Sequence, residues 1–365
     1  MKVHVNRAEV AEALIPVVSI AAARTPKPVL QCTLFRAMKD HCQLMATDLE
    51  VGIRTTLTQV EVGTPGQVLV SADKLGQIVR ESVDEVLLIE ADESVCHVRG
   101  QTSHFQIVLH EAEDFPPVPE MEGAPDFEAA SGVLKRLIEW TAFAAAREST
   151  RYAINGVLWE KTGHRLTLVA TDGRRLSRAV GETCGGSDAH ARAIVPSKAM
   201  QLFLRALGED EDPVGVKVTE NQIMLRSSRA QFSSTLVEGQ FPKFEEVIPT
   251  DCNKEVELST PEFLSAVKQA ALLTNEESKG VRFALSRNNL TLSSRAPEQG
   301  EAQVTMPVRY GGEAMEIGFN PIFLTDVLRV VHTESVRLRL KEPRRPGLLL
   351  SGEDLLYVIM PVNLS

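Results

Sequence analysis

At 365 residues the chain is roughly two to three times the size of an ordinary domain, so two or three domains with large cores are expected. Its 43% hydrophobic and 24% charged residues are ordinary globular usage, which excludes a mostly disordered, collagenous or disulfide-scaffold chain. A formal net charge of −10 excludes a uniformly basic nucleic-acid coat and leaves room for a local basic surface.

In chain order, the first predicted element is an amphipathic helix over residues 5–22. Lys2 and Arg7 ahead of the apolar run 13–23 look like a secretion leader, but Glu9, Glu12 and Pro16 break that pattern. No stretch reaches the roughly 20 apolar residues of a membrane span, so a cytoplasmic chain away from membranes is expected. A second helix is predicted over 71–83, then helices over 131–147, 197–207, 260–274 and 319–331. Ser71, Ser197 and Asn320 are candidate N-caps, and Ser259-Thr260-Pro261-Glu262 is a helix-start signature. Alternating patterns at 165–170, 222–226 and 336–340 predict strands. The five cysteines, Cys32, Cys42, Cys96, Cys184 and Cys252, are odd in number and scattered, which predicts free thiols in a reducing compartment. Neither His41-Cys42 nor Cys96-His97 has zinc-ligand spacing, so no metal is expected.

The elements recur. Leu44-Met45-Ala46-Thr47-Asp48 matches Leu168-Val169-Ala170-Thr171-Asp172 at an offset of 124, and Leu290-Thr291-Leu292-Ser293 falls at the same place once more. Ala72, Pro196 and Asn320 are equivalents at the same offset, and Asp114-Phe115-Pro116 returns as Gln240-Phe241-Pro242 after 126 residues. A period near 120 is a whole domain, far above the 20 to 45 residues of a solenoid repeat. Each copy reads as two helices on a multi-stranded antiparallel sheet, an α+β unit, with copies at 1–122, 127–250 and 251–365.

The six helical windows carry ten basic and seven acidic residues, a net +3, which leaves −13 for the rest of the chain. Base gathers on helices, which reads either as ordinary decoration of helix surfaces or, more sharply, as a helix-lined surface facing a polyanion. Phosphate-binding loops, dinucleotide fingerprints and H-E-x-x-H are missing, and Gly185-Gly186-Ser187 makes no nucleophile elbow. Asp172-Gly173 is first a hairpin turn.

Several stretches resemble the bacterial DNA polymerase III beta subunit family, the sliding clamps. They are Arg151-Tyr-Ala-Ile-Asn-Gly-Val-Leu-Trp-Glu160, Val169-Ala-Thr-Asp-Gly-Arg-Arg-Leu176, Gly239-Gln-Phe-Pro-Lys-Phe-Glu-Glu-Val-Ile-Pro249, Met315-Glu-Ile-Gly-Phe-Asn320 and Tyr357-Val-Ile-Met-Pro361. The resemblance spans the chain. It implies three sliding-clamp domains per chain, two chains joined head to tail in a ring, and helices lining a channel around duplex DNA. Six helices about 10 Å wide would enclose a bore of only ~9 Å, whereas twelve enclose ~28 Å, enough for a duplex roughly 20 Å across.

The resemblance further implies a non-catalytic processivity factor with no cofactor. Its partners would be the DNA polymerase III alpha subunit, an ATP-driven clamp loader and repair or other proteins carrying a clamp-binding motif. Arg24, Lys198 and Tyr152 match DNA-facing positions. Phe105, Ile107, Leu272 and Leu273 match the apolar ring interface, with Lys74 and Arg99 opposite Glu298 and Glu301. A partner-peptide pocket is implied at Arg151, Ile154, Thr171, Gly173, Arg174, Leu176, Pro242, Val247, Val358, Met360, Pro361 and Val362. A charge at Leu176, or loss of residues 360–365, is expected to abolish peptide binding and leave the dimer. Arg174 stands where many members have histidine, Phe244 where tyrosine is common, and Val362 where methionine often follows. The alternative function is a cryptic metal-dependent hydrolase or nuclease using Asp48, Asp172, His41 and Cys42.

Overall fold

The computed structural model describes residues 1–21, 25–148, 153–185, 190–274, 280–296 and 299–363. Among them are six α-helices: α1 (Arg7–Ile20), α2 (Ala72–Glu81), α3 (Ser131–Thr141), α4 (Ser197–Ala206), α5 (Thr260–Ala270) and α6 (Pro321–Val330). All six fall inside the windows that the apolar periodicity predicts. α3 and α5 end earlier than their apolar pattern because each tightens into a 3-10 turn, Ala142–Ala144 and Ala271–Leu273. Ser71 and Asn320 cap as expected, accepting from the amides of Lys74 and Ile322. Ser197 does not: it is the first residue of α4, and its hydroxyl donates to the Asn155 carbonyl at 2.8 Å. Asn6, which the sequence reading passed over, caps α1 by accepting from the Glu9 amide.

The chain folds as two compact units, which do not coincide with the repeats. The first comprises Met1–Leu134, Thr183–Asp188 and Lys198–Leu236; the second comprises Lys135–Glu182, Ala189–Ser197 and Val237–Ser365. In the first unit a five-stranded antiparallel sheet runs Val60–Thr64, Lys2–Asn6, Val86–Ala91, Val95–Arg99, His104–Val108. Its eight-stranded sheet joins strands of two repeats where Ala230–Thr235 pairs with Val51–Leu57, Phe232 opposite Ile53. In the second unit another eight-stranded sheet is made the same way: Arg175–Glu182 pairs with Leu355–Ile359, Leu176 opposite Val358. A four-stranded sheet completes that unit, with Gly300–Pro307 on one edge and Met315–Phe319 on the other.

Helix faces follow from spacing. α2 buries Ala72, Leu75, Gly76 and Val79, and α5 buries Phe263, Ala266, Val267 and Ala270, each an i, i+3, i+4, i+7 stripe. Gly76 lies where α1 meets α2, and a Cβ there would stand 3.1 Å from Val18 Cγ2, tight enough that the valine side chain would have to give way slightly. Beneath α5, Phe263, Phe283 and Phe319 meet edge to face. The strands alternate: Val3, Val5, Leu87, Ile89, Cys96 and Val98 point into the core of the five-stranded sheet, and Lys2, Glu90, His97 and Arg99 lie on its other face.

The thiols of Cys32, Cys42 and Cys96 are buried and unpaired, and burial pushes each up to about 11, with Glu9 adding to the effect at Cys42. Cys184 is exposed. Brief iodoacetamide treatment of the native chain at pH 8 should therefore modify Cys184 before any of these three, as peptide mass mapping will show. In the unfolded chain a thiol ionises near 9.0, so the folded state resists an ionisation that the unfolded state accepts. The stability these thiols contribute is complete below pH 9 and is lost as pH rises through about 11, which urea midpoints across that window will register.

Candidate functional site: an apolar cleft beside the Asp172 turn

The hairpin turn after strand Arg165–Thr171 is held by its own side chains. Asp172 Oδ1 accepts from the amides of Arg174 (2.9 Å) and Arg175 (3.1 Å). The Thr171 hydroxyl donates to the Arg175 carbonyl (2.6 Å) and accepts from the Gly173 amide (3.1 Å). Gly173 sits at φ +84°, which glycine adopts without steric cost. The equivalent turn of the first repeat repeats every bond: Asp48 Oδ1 accepts from Glu50 and Val51, and Thr47 bonds Leu49 and Val51. There the left-handed position is Leu49, at φ +80° and 52% exposed. Leu49→Gly relieves that backbone and loses little burial, so it should raise the urea-determined stability by roughly 0.5–1 kcal/mol after the entropy of the unfolded glycine is deducted.

Next to the Asp172 turn, wholly within the second unit, lies a cleft of about 250 Å³. Nine of the twelve residues expected of a peptide pocket line it: Ile154, Thr171, Gly173, Arg174, Leu176, Pro242, Val247, Val358 and Met360. Three more line it that the sequence reading did not select, Arg175, Lys243 and Phe244. The register explains the gathering, because pairing Arg175–Glu182 with Leu355–Ile359 sets Leu176 beside Val358, and the Met360 amide donates to the Arg174 carbonyl at 2.9 Å. Leu176 and Val358 are each 2% exposed and pack with Leu158, Val169, Phe241 and Phe244 in one apolar cluster. Val247 (52%) and Met360 (42%) stand open to solvent at the mouth. Pro361 and Val362 do not line the cleft; the Val362 amide is spent on the Gly318 carbonyl, 2.8 Å away. Arg151 lies outside the described residues.

Arg175 anchors this wall. Its guanidinium bonds Asp172 Oδ2 (3.0 Å), Asp326 Oδ2 (2.6 Å) and the Phe143 carbonyl (2.8 Å), and lies over the rings of Phe143 and Phe323. Burial works against its charge, but Tyr357, Asp326 and Asp172 outweigh that and hold its proton more firmly than usual. Burial likewise pushes the Tyr357 hydroxyl up, and it donates to the Phe323 carbonyl. A cue existed in the sequence: two consecutive arginines follow an Asp-Gly turn, and only one can face out if the strand alternates.

The other expected site residues are scattered. Lys198, expected to face DNA phosphates, has its ammonium against Asp48 Oδ2 and 3.7 Å from Glu50. Burial lowers its proton affinity, but those carboxylates raise it further than burial lowers it. Arg24 and Tyr152 lie outside the described residues. On the edge strand His104–Val108, Phe105 is 38% exposed, whereas Ile107 is buried in its own sheet. Arg99 pairs with Glu90 at 2.9 Å, and Lys74 is exposed. Leu272 is 76% exposed and Leu273 half-buried on the 3-10 turn after α5, with Glu301 exposed on the edge strand Gly300–Pro307. Glu298 is outside the described residues.

The residues of the alternative hydrolase are each engaged locally. Asp48 and Asp172 serve two separate turns, His41 bonds Asp40 at 2.7 Å, and Cys42 is buried. Among the described residues no group of three or more His, Cys, Asp or Glu is arranged to hold a metal ion.

The site is an apolar cleft with an exposed rim, set on a repeated α+β unit and without clustered catalytic groups among the described residues. Comparison with known proteins carries this further. The DNA polymerase III beta subunit profiles match in chain order: N-terminal domain at 1–119, central domain at 128–243 and C-terminal domain at 245–363. The beta sliding clamp of Pseudomonas aeruginosa is 34% identical over 367 residues, covering all of both chains, and that of Chlamydia pneumoniae is 32% identical over 365, covering 100% of this chain and 99% of the relative. The crystal structure of the Pseudomonas aeruginosa DNA polymerase III subunit beta superposes with a TM-score of 0.93 at 34% identity over all of both chains. The chain belongs to the DNA polymerase III beta subunit family; it is a DNA sliding clamp, a non-catalytic subunit of the replication machinery.

Proposed function

We propose that two copies of this chain close head to tail around duplex DNA and that the cleft beside the Asp172 turn holds the peptide by which polymerases and other partners are tethered. The observation that carries the peptide reading is the convergence of Leu176, Pro242, Val247, Val358 and Met360 on one open cleft. Methionine at its mouth adapts to differing ligands, and Arg174 and Lys243 at the rim can meet peptide carbonyls or carboxylates. The partners are the DNA polymerase III alpha subunit, repair proteins and a clamp loader, which must bring its own ATP site because no phosphate loop is present in this sequence. Binding to DNA places the working chain in the cytoplasm at the nucleoid. The reading keeps three domains, at 1–122, 127–250 and 251–365; the three profiles support the number of domains, while their own limits are 1–119, 128–243 and 245–363.

Closure is supported by two unpaired sheet edges, His104–Val108 and Gly300–Pro307, with Phe105 beside one and Leu272 near the other. An open edge pairs readily with a second chain, and a contact that closes after two copies leaves no free end. Ile107 backs this face from inside, and Phe105 and Leu272 supply the apolar area. Sedimentation at micromolar concentration should give twice 40.0 kDa for the parent chain and 40.0 kDa for Leu272→Asp. A parent monomer overturns the ring. Direct DNA contact is kept weak: Asp48 and Glu50 already neutralise Lys198, which leaves Arg24 as the expected phosphate ligand. Encirclement is tested by raising salt on loaded circular and linear DNA. The circles should keep the protein and the linear molecules should shed it.

A further inference from the structure

On the outward face of the five-stranded sheet two imidazoles meet. His97, on strand Val95–Arg99, and His104, on strand His104–Val108, sit diagonally across the ladder, since His97 pairs with Gln106 and Arg99 with His104. His97 Nδ1 lies 3.0 Å from His104 Nε2, and the rings are 5.2 Å apart between centroids. The other nitrogen of His97, Nε2, faces Asp92 Oδ2 at 3.5 Å. Asp92 is itself fixed, because its Oδ1 accepts from the amides of Ser94 and Val95, both at 2.9 Å.

We propose that His97 Nδ1 and His104 Nε2 form a bidentate site for a divalent transition metal of the zinc and copper type. Two nitrogens 3.0 Å apart share one proton, and a metal ion takes that proton's place when both present lone pairs to the same point. Metal–nitrogen bonds of about 2.0–2.1 Å at a tetrahedral angle need the nitrogens about 3.3 Å apart, a small opening that exposed His104 can make. Asp92 draws the remaining proton of His97 to Nε2 and so leaves Nδ1 free to ligate, the carboxylate–histidine arrangement that orients metal-bound imidazoles. Imidazole ligands suit zinc, nickel and copper rather than magnesium or calcium, and copper binds tightest. Neighbouring charge is balanced: Glu90 is paired with Lys2 and Arg99, and Asp92 offsets the incoming cation. The other positions on the metal remain for water or an outside ligand. Neither histidine belongs to the peptide cleft or to the residues expected to contact DNA, but His104 opens the edge strand His104–Val108 proposed for ring closure, so the site borders that edge.

The test uses the full chain without an affinity tag, stripped with a chelator, and titrated with zinc sulfate and copper sulfate by calorimetry at pH 7.5. One ion per chain is expected, with copper tighter than zinc. His97→Gln and His104→Gln should each weaken zinc binding at least tenfold, and Asp92→Asn should weaken it by a factor between about 10 and 100. Because metal binding releases protons, affinity should fall as pH drops from 7.5 to 6. Electron paramagnetic resonance of the copper-loaded chain should show nitrogen hyperfine splitting that both histidine variants lose. All three substitutions lie outside the apolar core, and unchanged circular dichroism will show that each variant folds. Zinc binding that persists at parental strength in the double histidine variant, or no binding at 100 μM zinc, overturns the site.

Discussion

A Val247→Asp chain should fold as the parent does and lose its affinity for a Gln-Leu-x-Leu-Phe peptide by a hundredfold or more. Val247 is 52% exposed at the mouth of the cleft, so an aspartate there is solvated in the free protein and costs the fold little. Peptide leucine and phenylalanine side chains entering the cleft would strip water from that carboxylate with no partner to replace it, a penalty of a few kcal/mol. Burying ~300 Å² of peptide apolar surface is worth ~7.5 kcal/mol before the peptide's ordering is subtracted, so micromolar affinity is expected for the parent. The variant would then fall out of measurable range. Met360→Ala, which only shortens the mouth, should weaken binding by about tenfold. Calorimetry decides, with the melting temperature as the control; parental affinity in Val247→Asp would falsify the cleft as the peptide site. The Leu176→Asp change suggested by sequence is a poorer probe. Leu176 is 2% exposed inside the apolar cluster, so a charge there unfolds the wall rather than blocking it.

The largest loss of stability from one surface-proximal residue is expected at Arg175. Arg175→Met removes the cation that faces both Asp172 and Asp326 and leaves two partly buried carboxylates beside each other's field. Breaking a buried pair from one side costs about 3–5 kcal/mol, against about 1 kcal/mol or less for an exposed pair. A triple change, Arg175→Met with Asp172→Asn and Asp326→Asn, should recover much of the loss, because an amide tolerates the site without a counter-charge. Urea denaturation of the single and triple variants separates the unpaired charge from the lost packing on Phe143 and Phe323. Equal destabilisation of both variants would assign the effect to packing. Peptide affinity should fall with stability in the single variant, since Asp172 also bonds the amides that shape the Gly173 turn.

Helices and cleft were legible to different degrees, for physical reasons. All six helices followed from apolar stripes, because the period of 3.6 is a local property. Their ends did not: the closing 3-10 turns of α3 and α5 keep the apolar spacing while changing the pitch. Ser197 was misread as a cap because sequence shows a hydroxyl before a helix but not the Asn155 carbonyl, 42 positions away, that claims it. Within the cleft the residue types suggested an apolar floor, yet only the strand register decides that Leu176 is buried while Val247 is open. Lys198 reads as a free cation beside a helix start; its neutralisation by Asp48 and Glu50 is tertiary and invisible in a charge tally. The turn at 171–175 was the most legible feature, since Thr, Asp and Gly supply its bonds within five residues.

The middle repeat lends strand Ala230–Thr235 to one eight-stranded sheet and strand Arg175–Glu182 to the other. Its borders with its neighbours are therefore ladders of backbone hydrogen bonds rather than hinges. A ladder pulled along its strands yields only when many bonds slip together, whereas a linker yields one torsion at a time. Cutting the chain at either border would not release a finished domain; it would bare a full strand edge ready to pair with any other, so fragments of this protein should associate where the whole does not.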